Sequence, residues 1–175
     1  MPDERRTVVG VDRSGGQANS CHGNSMQSYA PASVRIRPET NEIVESRLFA
    51  DMLPLRFQIV SVAHHSLGAI EGLKKGVFVS PSQTGPLNYP DLQKLIADTV
   101  GGLQRFSADE VNALEGREVV FQFRDRQVPF TAETFVLSFS LPNFYFHATT
   151  AYDILRTKGV PLGKRDFLGQ LRIKR

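Results

Sequence analysis

The sequence predicts a mainly α chain, an antiparallel helical bundle with a short β-hairpin before its last helix, on three observations. Leu48, Met52, Leu55, Ile59, Val62, Leu67 and Ile70 recur at spacings of mostly three and four, and Leu92, Leu95, Ile96, Thr99 and Leu103 share a second such face. That is the period of a helix burying one stripe. Apolar alternation on both sides of Arg124-Asp125 reads instead as two strands and a tight turn. Thr131 and Gly159 then bracket a final helix as cap and stop.

Taken in order, residues 1–40 form an irregular arm ahead of a bundle domain at 41–175. The arm holds Gly10, Gly15, Gly16, Gly23, Pro31 and Pro38 and no helical stripe. Its alternations, Thr7–Val11 and Ser33–Ile36, would pair as strands only with outside support. A helix is expected over 50–73, started near Asp51 because Pro54 fits a first turn but costs ~3 kcal/mol deeper in. Residues 76–90 read as a loop, and a helix follows over 90–105 with Pro90 at its start. Ser107-Ala108-Asp109-Glu110 has capping-box spacing and opens a short helix to Leu114. The hairpin takes Glu118–Phe123 and Arg126–Phe130. The last helix, 132–158, has Glu133 in its first turn and is interrupted by Pro142, which leaves the Ser138 carbonyl without its amide partner and predicts a bend.

Composition bounds the function. The 175 residues are 41% hydrophobic and 22% charged, which suits one soluble globular domain. No segment approaches the ~20 apolar residues a bilayer crossing needs. Nothing near the first residues resembles a signal peptide, so a cytoplasmic protein is expected. The single cysteine, Cys21, rules out an internal disulfide and cannot build a thiolate metal site. The net charge of +3 gathers largely in the tail, at Lys164, Arg165, Arg172, Lys174 and Arg175. Without a basic helix or aromatic interleaving, nucleic acid is an improbable partner.

Two stretches carry a resemblance. Leu141-Pro142-Asn143-Phe144-Tyr145-Phe146-His147-Ala148-Thr149-Thr150-Ala151-Tyr152, with Gly159 and Lys164-Arg165-Asp166-Phe167-Leu168-Gly169 after it, is similar to the C-terminal helix and tail of the domain of unknown function 1993 family. That family is grouped with the DinB-like metalloenzymes. Ser46–Gln58, with Asp51-Met52-Leu53-Pro54-Leu55 at its centre, resembles the same family's second-helix entrance. The resemblance spans roughly residues 40–169 and implies a DinB-like bundle, here with the irregular arm where relatives place a first helix.

The resemblance also implies a site. DinB-like proteins hold a divalent metal with two histidines four apart on the last helix and one on the second, a spacing that puts both imidazoles on one face. The corresponding positions here are Asn143, His147 and, on or near the second-helix position, Gln58. One imidazole and two amides are poor ligands for a transition metal, so no metal cofactor is expected. His147 becomes the candidate catalytic residue, a proton-transfer group, against the plainer role of a hydrogen-bonded core histidine. Gln58, Asn143, Asp51 and Tyr152 are the candidate ligand-binding residues, with Phe139 and Phe146 as walls; Asp51 serves equally as a helix cap. His64 and His65 read as an exposed or half-buried helical pair, and His22 beside Cys21 has no metal-site spacing.

The expected function is therefore binding or tailoring of a small, partly apolar molecule without a bound metal. The alternatives are a metal-dependent DinB-like hydrolase or transferase, and a non-catalytic dimerising or nucleic-acid-binding module. A bundle short of a helix leaves an apolar groove, so a homodimer or an arm-covered groove is expected too.

Overall fold

The computed structural model describes residues 40–81, 85–171, 173 and 174, all within the unit Ile36–Arg175. All but the last residue of the expected arm, with Cys21, His22 and both short alternations, lies outside the described residues.

A short helix α1 (Thr40–Val44) leads through turns to α2 (Leu55–Ala63), a π-helical turn (His64–Gly68) and α3 (Ala69–Lys75). These last three make one long helix where the apolar stripe predicts one. It starts later than expected. Pro54 occupies the N-cap position in extended conformation (φ −70°, ψ 169°) with no side-chain cap, since a proline biases the residue before it away from helix. Asp51 is exposed in the preceding turns and caps nothing. At the other end Gly76 takes φ 75°, the left-handed geometry that closes a helix.

The segment expected to be a loop opens with a strand. β1 (Val77–Val79) pairs in parallel with β2 (Glu118–Phe123), which pairs antiparallel with β3 (Arg126–Thr131), giving the order β1-β2-β3. The hairpin is present as expected, turned by Arg124 at φ 54°, but it belongs to a three-stranded sheet. Three residues carry no readable period, and β1 exists because Gly76 delivers the chain beside Val120, whose N–H donates to the Gly76 carbonyl at 3.0 Å.

Helices α4 (Tyr89–Leu103) and α5 (Ala108–Asn112) open with reciprocal capping boxes, Asn88 with Asp91 and Ser107 with Glu110. The last helix comes in three parts: α6 (Ala132–Phe135), a second π-helical turn (Val136–Ser140) and α7 (Leu141–Thr157). Pro142 lies in the first turn of α7. Its interruption takes the form of the π turn, in which the Leu141 N–H reaches back to the Val136 carbonyl. Asn143 donates from its side-chain amide to the Phe139 carbonyl at 2.7 Å, one turn back along the helix. After Gly159 (φ 80°), α8 (Lys164–Leu168) folds back so that Phe167 meets the Tyr152 ring edge-on at 5.7 Å.

Helices α2 and α7 form the principal helix pair, and two apolar clusters hold the bundle. Phe78, Phe135, Val119, Leu73 and Leu114 centre the larger one, between α3, the sheet and α6, with Phe121, Phe130 and Phe139 packed on it. Leu55, Ala151 and Ile154 centre the smaller, between α2 and α7. No helix among the described residues is long and apolar enough to cross a membrane.

Candidate functional site

A cavity of about 290 Å³ opens where the two π turns, the sheet and α2 meet. Its apolar wall is aromatic: Phe57 from α2, Phe78, Phe121 and Phe123 from the sheet, and Phe139 from the second π turn, with Pro81 at the rim. Its polar groups are Ser61, His65, Ser80, Asn143 and His147. None of these lining residues carries a formal charge at neutral pH. Burial holds His65, His64 behind it and His147 below the ordinary imidazole range, with the Val79 backbone offsetting part of the effect at His64. For His65, burial first and then the neighbouring His64 and His147 rings bring the value down to about 4.

His147 stands at the end of a short hydrogen-bond chain. Gln58, 2% exposed, donates from Nε2 to the Leu53 carbonyl at 2.8 Å, and its Oε1 lies 2.7 Å from Nδ1 of His147. A carbonyl only accepts, so the Leu53 end fixes which way the amide points. Oε1 must then accept, and His147 must carry its proton on Nδ1. The neutral ring is left with its lone pair on Nε2, on the side away from Gln58. Such a ring can accept a hydrogen bond or a proton from a molecule in the cavity.

The other sequence-predicted positions divide. Asn143 shares the cavity with His147, and its NH2 group is used on the Phe139 carbonyl. Gln58 does not line the cavity; it stands behind His147 and holds it. Asp51 is exposed in the turn before α2, and Tyr152 packs against Phe167; neither reaches the cavity. Phe139 is a wall as expected, whereas Phe146 is 56% exposed and meets only the His147 edge at 5.3 Å.

His65 overturns its sequence reading. It is 7% exposed, lines the cavity, and lies nearly parallel to His147 with ring centroids 6.0 Å apart. The seven-residue step from Gln58 is the sequence signal for that shared face. Sequence reasoning also missed Ser61 and the sheet phenylalanines: Phe78 because β1 was not legible, and Phe121 and Phe123 because nothing local shows that their strand packs against the helices.

The family model described as Domain of unknown function (DUF1993) matches residues 25–168. The chain belongs to this family. The match begins well before residue 40, so part of the stretch read as an arm is family sequence. A DinB family member from Shewanella denitrificans, solved by crystallography, superposes with a TM-score of 0.64 at 27% identity, over 77% of this chain and 76% of that one. The fold is thus the DinB-like bundle that the motifs imply. No curated protein matches the sequence.

DinB-like kinship raises a metal, and the residues present do not fit one well. The described residues hold no group of three or more histidine, cysteine, aspartate or glutamate side chains placed to share an ion. His147 has Nδ1 engaged by Gln58, its parallel partner His65 sits beside it, and the remaining donor is the amide of Asn143. Transition metals prefer sets richer in imidazole, thiolate or carboxylate.

Proposed function

We propose that this DUF1993 protein binds, or chemically tailors, a small uncharged and partly apolar molecule in the aromatic cavity, without a bound metal, using His147 Nε2 as hydrogen-bond acceptor or base. The observation that carries the reading is the Leu53–Gln58–His147 chain, which fixes one tautomer and orients the ring. A merely structural histidine needs no such relay to a backbone carbonyl. The uncharged lining favours an uncharged ligand, since transferring an ion into such a site without a partner is costly. The ligand should bring an O–H or N–H to meet Nε2.

A homodimer belongs to the same reading. Leu137, Leu141 and Tyr145 follow one another at four-residue steps and are 69%, 37% and 57% exposed, an apolar stripe of the kind that marks an interface.

The test titrates wild type, His147→Ala and Gln58→Met with 2-naphthol, followed by naphthol fluorescence, which no tryptophan obscures because the chain has none. Binding should weaken at least about tenfold in His147→Ala and less in Gln58→Met, as loss of one hydrogen bond and loss of its orientation require. Zinc analysis should show little metal in any of the three, and Asn143→His should raise zinc affinity. Stoichiometric zinc in wild type that disappears in His147→Ala would overturn the reading in favour of metal-dependent hydrolase or transferase chemistry. Sedimentation of the same wild-type sample as a monomer would remove the dimer from it.

A further inference from the structure

The first π turn and the helix leading into it hold polar atoms that no described residue satisfies. Ser61 Oγ and His65 Nδ1 are buried and have no hydrogen-bond partner among the described residues. Both side chains are more than nine-tenths buried, at 1% and 7% exposure, and both residues line the cavity. Buried polar groups are nearly always paired, so two orphans on one wall need an explanation. Ser61 is anomalous in a second way. Ser66, Thr99, Ser138 and Thr150 all donate to the carbonyl four residues back, the usual resort of a hydroxyl within a helix. Ser61, as buried as Thr99 and Thr150, makes no such bond.

We propose that Ser61 and His65 form a second polar subsite of the cavity, and that the ligand is therefore a flat, uncharged aromatic molecule bearing two hydrogen-bonding groups. One group meets His147 Nε2 and the other meets Ser61 Oγ and His65 Nδ1. This rests on the reading of His147 above and deepens it by naming the ligand class. The volume fits, because an engineered apolar cavity of about 150 Å³ holds one benzene ring, and about 290 Å³ takes a two-ring frame with its substituents. The ring geometry fits as well. Two stacked carbon faces sit about 3.5–4.0 Å apart, so nothing aromatic can slide between imidazoles whose centroids are 6.0 Å apart. A ligand must therefore meet the edges of the two rings, where the nitrogens are, while the phenylalanines take its faces.

The experiment compares 2-naphthol with 2,7-dihydroxynaphthalene on wild type, Ser61→Ala and His65→Phe, each first checked for folding by thermal melt. On wild type the diol should bind about tenfold more tightly than the mono-ol, the effect of one further net hydrogen bond. Ser61→Ala and His65→Phe should each erase most of that advantage. If 2-naphthol binds in a His147-dependent way and the diol gains nothing, the second subsite is wrong and the His147 reading stands. A diol advantage that survives Ser61→Ala intact also overturns the subsite. Failure of both compounds to bind wild type removes the His147 reading and this one together.

Discussion

The two π-helical turns face each other across the same cavity, and they differ in how they treat their polar groups. In the turn Val136–Ser140 and the start of α7, Ser138 donates to Thr134, Ser140 donates to the His65 carbonyl at 3.0 Å, and Asn143 donates to Phe139. Across from it, Ser61 Oγ and His65 Nδ1 lack partners among the described residues. One wall is closed by its own hydrogen bonds and supplies rigidity, including a buried tie to the other wall. The opposite wall leaves polar groups unmet, an arrangement a fold keeps only where something else meets them. A π turn inserts a residue into a helix and so shifts which side chains face inward. Both walls use that shift, but only one leaves buried polar atoms without a partner among the described residues.

The largest effect should come from the residue the walls share. Phe78 is 2% exposed and meets His64, His65, Phe121, Phe135 and Phe139. Phe78→Ala is expected to cost about 3–5 kcal/mol of unfolding free energy in urea and to open the cavity. A cost below about 1 kcal/mol would mean that the aromatic cluster does not unite the two sides.

Paired serines give the direct contrast. Ser140→Ala removes a buried hydrogen bond to the His65 carbonyl, so it should cost about 1–3 kcal/mol. Ser61→Ala removes a hydroxyl that has no partner, and its effect should stay within about 0.5 kcal/mol or stabilise. Equal losses in the two variants would dissolve the distinction between the walls.

The last expected effect is the pH dependence. His65 titrates at about 4 in the folded protein and near 6.5 when unfolded, so between those values the unfolded chain binds the extra proton. Stability is then complete above pH 6.5 and falls as the pH drops toward 4. By pH 5.5 the loss should be about 1 kcal/mol, reduced from the full linkage value because the cavity is open to solvent. His64 and His147, also lowered by burial, act in the same direction. Urea midpoints measured from pH 8 to 5 on wild type and His65→Phe check this. A wild-type midpoint that does not fall, or an undiminished fall in His65→Phe, would show that His65 is not held neutral.

The sequence by itself determined the three long helices, the hairpin, the Ser107 and Thr131 caps and the family, because each is written in local periods and in motifs of adjacent residues. The resemblance to that family also put Gln58, Asn143 and His147 in one neighbourhood, and helical spacing set Asn143 and His147 on one face. The tertiary structure decided the rest. β1 is three residues long and exists only by pairing with a strand some forty positions away, so Phe78 could not be read as a wall. The π turns depend on how α2 and α7 settle against each other, and no period announces them. The division of labour between Gln58 and His147 came from a single backbone carbonyl, that of Leu53, whose place beside the amide is a matter of chain path. His65 reads in the sequence as exposed or half-buried because its burial is set by Phe78 of β1, Phe139 of the second π turn and His147 of α7, and burial is a property of neighbours that a linear sequence does not list.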